Sequence, residues 1–317
     1  MRSEQVADWL DRQEWGAWNR AAITGDASAR RYERLTGPNG STVIFMDAPP
    51  DTCGSQSLFV TIARHLRAAG LCAPEVLAHD DTLGLLVLGD LGQTDFASHL
   101  KAQPSDEAAL YSAAVDVLLR LADVSAIDGL TTMTPQVAAQ MLGPAFDWAC
   151  KDPSAALRSE IEDELQSLFA KVDPAPSTLS LRDFHAENLI WRPDQDGTDR
   201  VGLLDFQDAF ITHKAYDLAS LLRDARRDVS EDLLPDLLSR LDPEADQDHL
   251  RTTFHVMAVQ RNLRILGIFQ RLAKDACKPR YLDFVPRVTS HLRRDLAHPA
   301  LATLRPLAIR AFLGGTE

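Results

Sequence analysis

The first hundred residues of this chain contain no lysine, so arginine supplies all of their strongly basic side chains. Cysteine is also scarce, and the four cysteines lie far apart without forming a Cys-x-x-Cys pair. This spacing excludes the common zinc and dithiol motifs and predicts reduced, unpaired thiols. No apolar run approaches the roughly 20 residues of a membrane span, and the N-terminal residues lack the apolar core of a signal peptide. We therefore expect a soluble, cytoplasmic protein without a membrane partner.

Basic charge is scarce overall and is unevenly distributed along the 317 residues. The formal net charge of −13 argues against a nucleic-acid partner, because such proteins need a basic face. Residues 251–317 nevertheless hold 12 lysines and arginines against 4 acidic residues, a net charge of +8. The positive charge of the protein is therefore concentrated near its C-terminus.

The apolar pattern divides the chain into two parts, as its length suggests at roughly 150 residues per domain. An amphipathic helix is predicted over 1–18, followed by the order strand, strand, strand, helix, strand, strand. Helices predominate later, for example over 215–228, and one non-helical island interrupts them at 179–208. We therefore predict an α+β fold with a small antiparallel-sheet domain at 1–91 and a larger, mainly helical domain at 92–317.

The non-helical island carries polar residues at a spacing that suits phosphoryl transfer. Asn188 follows Asp183 by five residues, and Asp205 ends a strand 22 residues after Asp183. Transfer to a hydroxyl requires a carboxylate that orients the hydroxyl and accepts its proton. It also requires hard oxygen ligands for Mg²⁺, such as an Asn oxygen and a second carboxylate. The alternative for each of these residues is a structural role in a turn or cap.

This segment resembles the catalytic loop of the aminoglycoside phosphotransferase family, which shares the two-lobed protein-kinase fold. The usual family loop is His-Gly-Asp-x-His-x-x-Asn, and Asp183, His185 and Asn188 match it. Leu181-Arg182 replaces the first two residues, and Arg182 instead resembles the Arg-Asp of protein-kinase loops. The resemblance implies that Asp183 is the catalytic base, that Asn188 and Asp205 hold Mg²⁺, and that ATP is the phosphoryl donor.

Two further residues of the matched motifs are expected to support the loop. The family assigns the proton transfer to the Asp, so His185 is interpreted as structural. Asp217, in the segment Ala215-Tyr216-Asp217-Leu218-Ala219, matches a family Asp that braces the loop through backbone N–H groups. The alternative for Asp217 is a helix cap.

A closer resemblance to one branch of the family extends over nearly the whole chain. The segments that carry it include Arg30-Arg31-Tyr32, Met46-Asp47-Ala48-Pro49-Pro50, Leu204-Asp205-Phe206-Gln207 and Gln260-Arg261-Asn262-Leu263. They resemble the anomeric sugar kinases of bacterial cell-wall recycling, which phosphorylate N-acetylmuramate and N-acetylglucosamine. The resemblance implies that the small-molecule partner is an amino sugar, phosphorylated at its anomeric hydroxyl.

The expected ATP site lacks the usual phosphate-binding lysine. Protein kinases place a Lys on the third strand, paired with a Glu on the next helix. Here that strand reads Val43-Ile44-Phe45-Met46, and the helix at 57–69 contains no Glu. Either arginine holds the phosphates, as its planar guanidinium can, or the protein is a pseudokinase that binds nucleotide without turnover. The candidate ATP-binding residues are Gly25, Asp26, Ala27, Ser28, Arg30, Arg31, Gly89, Asp90 and Leu91.

Strand alternation constrains which arginines can act together. It places Arg30 and Arg34 on one face of their strand and Arg31 on the other. The sequence alone does not say which face meets the nucleotide.

The acceptor site is predicted from polar residues of the second domain. Asp208 is either a substrate contact or a solvated turn residue, and His213 either approaches the substrate or is an exposed loop histidine. Gln260, Arg261 and Asn262 interrupt an apolar helical pattern, so they either line the acceptor pocket or form a solvent-facing stripe. The positive C-terminal segment favours a neutral or anionic acceptor over a cationic aminoglycoside. An aminoglycoside kinase and a kinase of the choline or homoserine type remain the alternatives.

Overall fold

The structure is a computed structural model that describes residues 2–23 and 29–314. In chain order, its strands are β1 (Asn19–Ile23), β2 (Arg31–Thr36), β3 (Thr42–Asp47), β4 (Val76–Asp80), β5 (Leu85–Gly89), β6 (Thr178–Ser180), β7 (Leu189–Trp191), β8 (Val201–Leu203) and β9 (Phe210–Thr212). The α-helices are α1 (Arg2–Leu10), α2 (Pro50–Cys53), α3 (Ser57–Ala68), α4 (Phe96–Ala102), α5 (Glu107–Ala122), α6 (Pro135–Gln140), α7 (Gly143–Trp148), α8 (Ala155–Val172), α9 (Ala215–Leu222), α10 (Leu234–Leu241), α11 (Gln247–Lys274), α12 (Val285–Leu296) and α13 (Leu304–Ala308). Short 3-10 helices cover Pro104–Asp106, Ala186–Asn188, Gly197–Arg200, Glu231–Leu233, Pro279–Phe284 and Pro299–Leu301, and one π-helical turn covers Ile309–Leu313.

The chain divides into two compact units. One comprises Met1–Thr94 with Leu189–Gln207, and the other comprises Asp95–Asn188 with Asp208–Glu317. We call them the sheet unit and the helical unit. The division of the chain into functional domains at 1–91 and 92–317 stays a prediction.

The sheet unit contains one five-stranded antiparallel sheet with the order β1-β2-β3-β5-β4. Phe45 of the central strand β3 pairs with Val87 of β5. Trp9 of α1 packs on Phe45 with the ring centroids 6.2 Å apart, in a core that also contains Leu35. This architecture confirms the small antiparallel sheet that was predicted from the sequence.

The first helix is shorter than the sequence predicted. The amphipathic pattern indicated a helix over 1–18, whereas α1 ends at Leu10. Gly16 lies so close to the helix end that a Cβ there would be 2.7 Å from the Leu10 carbonyl oxygen. The chain therefore folds back on itself after Leu10 before it enters β1, so the apolar residues between Leu10 and β1 belong to a turn.

The hairpin of β7 and β8 also belongs to the sheet unit. The Trp191 N–H donates to the Thr94 carbonyl at 2.8 Å, and the Leu203 N–H donates to the Cys72 carbonyl at 2.8 Å. These bonds attach residues 189–207, in the C-terminal half of the non-helical island, to the rest of the sheet unit.

The helical unit is organised around α11, which is 28 residues long. Helices α7, α9 and α12 pack against it. At Gly267 the approach of α7 is so close that a Cβ would lie 2.1 Å from the Pro144 carbonyl oxygen. The predominance of helix in this unit confirms the predicted α+β class. Within residues 2–23 and 29–314, none of the helices combines the length and apolarity that crossing a bilayer requires.

Candidate active site

The loop that carries Asp183 is held by a buried carboxylate on α9. Asp217 accepts hydrogen bonds from the Ser180 hydroxyl at 2.7 Å, the Leu181 N–H at 2.8 Å and the Arg182 N–H at 3.0 Å. Arg182 has a φ of 69°, which a residue with a Cβ adopts only at a cost. Asp217 therefore fixes the strained turn immediately before Asp183.

Burial raises the pKa of Asp217 to about 6, although the hydrogen bonds from Ser180, Leu181 and Arg182 act in the opposite direction. The group is therefore ionised at neutral pH. Ionisation matters because only the carboxylate can accept from all of these donors.

Asn188 is oriented by the same loop. Its Nδ2 donates to the Asp183 carbonyl at 2.8 Å and lies 3.2 Å from His185 Nε2. His185 is buried, and its pKa lies well below the ordinary value because of burial and because of the charges of Arg226 and Arg261. His185 is therefore neutral, and its Nε2 contacts the side-chain amide of Asn188. Because the amide nitrogen makes these contacts, Oδ1 is the Asn188 atom suited to bind a cation.

Asp205, the second predicted metal ligand, follows β8 in the sheet unit. Its φ of 57° turns the chain sharply, and its side chain is exposed. Gln207 Nε2 donates to Asp205 Oδ1 at 2.9 Å. Phe206 stacks on Phe59 of α3 with a centroid distance of 5.0 Å and an interplanar angle of 12°. The buried ring of Phe206 therefore anchors the turn that presents the carboxylate.

The arginine candidates of the sheet unit, Arg30, Arg31 and Arg34, have different neighbours. Arg34 of β2 donates to both carboxylate oxygens of Asp90, at 2.6 and 3.1 Å, and to the Gly92 carbonyl at 3.1 Å. Burial alone would raise the pKa of Asp90, but the hydrogen bonds from Arg34 and the Gly92 N–H outweigh it and lower the pKa. Arg34 thus holds the segment after β5, which carries the candidate ATP-binding residues Asp90 and Leu91.

Arg31 lies on the side of the sheet that α1 covers. It lines a pocket together with Arg2 of α1 and with Phe45 and Asp47 of β3. This placement, on the face of β2 opposite to Arg34, gives no support to the expected contact between Arg31 and nucleotide phosphates.

Arg30 faces the same side as Asp205. Tyr32, two residues along the chain, has its pKa raised to about 12 by burial, with Arg30 lowering it and Asp205 raising it. Both charges therefore lie near the Tyr32 hydroxyl. Of the arginines proposed from the sequence, Arg30 is the one whose charge acts on the same hydroxyl as the charge of Asp205.

Gln56 is a polar residue that sequence reasoning missed. It precedes α3 and is only 1% exposed. Its Nε2 donates to the carbonyls of Cys53 and Gly54 at 3.2 and 3.0 Å, and its Oε1 accepts from Arg30 Nε at 3.3 Å. The signal for it was a polar side chain at the start of the helix that lacks the expected Glu.

The remaining nucleotide candidates are partly described. Gly25, Asp26, Ala27 and Ser28 lie outside the described residues. The Gly89 N–H donates to the Glu75 carbonyl at 2.8 Å, and Leu91 lies against Gly202.

The acceptor candidates differ in exposure. Asp208 is exposed. His213 is half-buried rather than exposed; its Nδ1 accepts from the Ala215 N–H at 3.1 Å, and burial, together with the charge of Lys214, lowers its pKa to about 4. His213 is therefore neutral and supports the start of α9.

The three polar residues of α11 are buried, so the alternative of a solvent-facing stripe is wrong. Gln260, Arg261 and Asn262 are 0%, 5% and 0% exposed. Gln260 Nε2 donates to the Ala138 carbonyl at 3.1 Å. Sequence reasoning missed Arg264, one turn further along α11, which shares the surroundings of Arg261.

An antiparallel-sheet unit, a mainly helical unit and a braced loop with Asp183 and Asn188 together define a phosphotransferase with a protein-kinase-like fold. The match of residues 20–252 to the profile described as "Phosphotransferase enzyme family" shows that the chain belongs to that family. It is an ATP-dependent kinase.

Comparisons with individual proteins agree with this assignment. The chain is 38% identical to a protein of Caulobacter vibrioides over 96% of this chain and 95% of that protein, and 32% identical to one of Neisseria meningitidis serogroup B over 85% and 83%. Both relatives are named N-acetylmuramate/N-acetylglucosamine kinase.

Solved structures share the fold at low identity. A choline/ethanolamine kinase family protein from Mesorhizobium loti superposes with a TM-score of 0.69 at 15% identity, covering 99% of this chain and 100% of that chain. A thermostable mutant of the aminoglycoside phosphotransferase APH(4)-Ia, in its apo form, gives a TM-score of 0.66 at 16% identity, covering 92% of this chain and 100% of that chain. A further variant of that mutant, in a ternary complex with ADP and hygromycin B, gives a TM-score of 0.63 at 15% identity, covering 91% and 98%.

Proposed function

We propose that this protein phosphorylates the anomeric hydroxyl of N-acetylmuramate or N-acetylglucosamine with ATP. The observation that carries the proposal is 38% identity over nearly all of this chain and of a relative named for both sugars. The buried polar and basic residues of α11 also support it, because a sugar needs hydrogen-bond partners that an apolar pocket lacks.

The braced loop supplies the catalytic base in this proposal. Asp183 orients the anomeric hydroxyl and accepts its proton as the sugar oxygen forms a bond to the γ-phosphorus and the bond from that phosphorus to the β-phosphate oxygen breaks. ADP then leaves with the bridging oxygen. An anomeric hydroxyl is more acidic than an ordinary alcohol, so a carboxylate suffices as its base.

Asn188 and Asp205 are the proposed Mg²⁺ ligands. They offer an amide oxygen and an exposed carboxylate, which are the hard donors that Mg²⁺ prefers. The bound ion would neutralise negative charge on the nucleotide phosphates.

The nucleotide is proposed to bind chiefly to residues 1–91, and the acceptor to residues 92–317. Arg30 would hold the phosphates in place of the usual Lys, with help from backbone N–H groups of 25–28. The backbone of 89–91 would meet the adenine edge. On the acceptor side, the candidates are Asp208, Gln260, Arg261 and Asn262.

The test is a coupled assay of ADP release with separate acceptors. We expect turnover with N-acetylmuramate and N-acetylglucosamine and none with kanamycin. Asp183→Asn should lower kcat by at least about a thousandfold, because proton acceptance and hydroxyl orientation are lost together. ATP binding, measured by calorimetry, should persist in this variant.

Asp194→Asn serves as the matched control, since Asp194 is exposed in the turn between β7 and β8. It should retain the kcat of the unmodified protein. Turnover with kanamycin and with neither sugar would contradict the proposed acceptor, whereas a fully active Asp183→Asn variant would contradict the assigned base.

A further inference from the structure

Three arginines of the helical unit lie around the loop of the proposed base. Arg182 directly precedes Asp183, whereas Arg261 and Arg264 are one turn apart on α11 and share a face of that helix. Helix α11 packs against α9, which carries Tyr216. Arg264 faces the charges of Arg182, Asp183 and Arg261, and Tyr216 faces the charges of all four groups.

Two aromatic rings, those of Phe210 and Tyr216, pack beside this cluster. The Arg182 guanidinium lies over the ring of Phe210 at 5.8 Å from its centroid. Phe210 in turn meets Tyr216 edge to face at 4.9 Å. Rings in this arrangement hold the Arg182 side chain close to the protein surface without neutralising its charge.

Within the part of the chain that the structure describes, none of the three guanidinium groups forms a salt bridge, although the charge of Asp183 acts on Arg264 and the charge of Arg261 acts on Asp217. The buried Arg261 Nη1 also has no hydrogen-bond partner there. By contrast, the fully buried Arg223 donates from Nε and from Nη2 to the carboxylate of Asp295.

Burial without a salt bridge is unfavourable for a cation. It lowers the pKa of Arg264, and the neighbouring charge of Arg182 lowers it further. Both side chains remain partly exposed, so an incoming anion can reach them. A carboxylate would relieve the repulsion and match the planar donors of the guanidinium groups.

We propose that Arg182 and Arg264 form a carboxylate subsite beside Asp183, which binds the lactyl carboxylate of N-acetylmuramate. The proposal rests on the proposed function and adds a specificity element to it. N-acetylglucosamine has no carboxylate, so the pair favours one of the two sugars. The charge of the buried Arg261 adds to the positive potential at this subsite. A carboxylate held there also fixes the sugar with its anomeric hydroxyl toward the base.

The experiment compares kcat/KM for the two sugars in the unmodified protein and in Arg264→Gln. We expect the ratio of N-acetylmuramate to N-acetylglucosamine to fall about 10- to 100-fold, the loss expected for a charged hydrogen bond. Most of that fall should lie in KM for N-acetylmuramate. Arg271→Gln is the matched control, because Arg271 is exposed near the end of the same helix. It should leave the ratio unchanged.

A second measurement avoids the risk that Arg264→Gln misfolds. The unmodified protein is assayed with the methyl ester of N-acetylmuramate, which keeps the shape of the sugar and removes its charge. Its kcat/KM should fall about 10- to 100-fold below that of the acid. Arg264→Lys should give an intermediate ratio, since it keeps the charge and loses the planar fork.

The outcomes separate this proposal from the proposed function. An ester that reacts as well as the acid, an unchanged ratio in Arg264→Gln, or turnover of N-acetylglucosamine alone would overturn the subsite and leave the kinase activity standing. Equal losses for both sugars would also overturn it, because the arginines would then act on the transferred phosphoryl group. Turnover of neither sugar by the unmodified protein would overturn the proposed function, and the subsite with it.

Discussion

Gln56 holds Arg30 through a neutral hydrogen bond at the start of the helix where protein kinases carry the Glu of their Lys–Glu pair. The neutral amide has a structural reason. Its Nε2 donates to the carbonyls of Cys53 and Gly54, and a carboxylate at this position would face those oxygens without a proton to share. Arg30 can therefore be oriented without a buried anion beside it.

At this position, we predict that Gln56→Leu raises KM for ATP about tenfold and lowers kcat, because Arg30 loses a hydrogen-bond acceptor that helps to orient it. Gln56→Glu should also be impaired, since it repels the carbonyls of Cys53 and Gly54. The measurement is steady-state kinetics with ATP varied. Gln195→Leu, at an exposed turn, should match the unmodified protein. Normal KM and kcat in both Gln56 variants would show that Gln56 does not position Arg30.

Single residues of the candidate site could be proposed where a known motif sets their spacing. Asp183, Asn188 and Asp205 stand at intervals that resemble the family's catalytic motifs, and their roles stay a prediction. Gln56 and Arg264 have no such interval. Their importance depends on burial and on partners from other elements, which only the folded chain shows.

The two faces of β2 also show that packing between elements cannot be inferred from the local sequence pattern. Alternation correctly separated Arg31 from Arg34. It could not say that α1 covers the side of Arg31, because a strand pattern contains no information about which helix packs on which face.

Among the secondary-structure elements, the positions of the strands in the sheet could be predicted from the sequence, whereas the ends of helices α1 and α9 could not. Turn residues mark the strands of the sheet, and their order was read from them correctly. Helix α9 was predicted over 215–228 but ends at Leu222. The next residue, Arg223, leaves the helical conformation, and its side chain binds Asp295 of α12. A tertiary ion pair, invisible in the local pattern, is associated with this helix end.

Helix α11 depends on a glycine where α7 crosses it. We predict that Gly267→Ala destabilises the protein by about 1–3 kcal/mol, the usual cost of overpacking, because the new Cβ would lie 2.1 Å from the Pro144 carbonyl oxygen. Helix propensity alone predicts the opposite sign, a gain of roughly 1 kcal/mol. Urea unfolding provides the measurement.

Gly143→Ala is the control for this prediction, since a Cβ at that position of α7 meets nothing within 4 Å. It should be neutral or slightly stabilising. A gain in stability for Gly267→Ala would mean that α7 moves away from α11 at little cost.

For the whole molecule, buried titratable groups set opposing dependences of stability on pH. Burial lowers the pKa of four histidines, which are His185, His213, His291 and His298. Such groups stabilise the fold above about pH 6.5, their ordinary pKa, and that stability is lost as the pH falls. Burial raises the pKa of Asp173 and Asp217 to about 6. These carboxyl groups act in the opposite direction, since their contribution is largest in acid and is lost as the pH rises through about 6.

Because the histidines outnumber the carboxyl groups, we predict that the free energy of unfolding falls between about pH 7.5 and pH 5, by roughly 1–3 kcal/mol. His213→Asn should reduce this fall, because the Asn oxygen can accept the Ala215 N–H in place of Nδ1 but does not titrate. Gln195→Leu, at an exposed turn, is the control and should leave the pH dependence as it is, because it removes no titratable group. The measurement is urea unfolding at several pH values for the three proteins. A free energy that rises on acidification would show that Asp173 and Asp217 outweigh the histidines. An equal fall in His213→Asn and the unmodified protein would show that His213 already takes up a proton in the folded state.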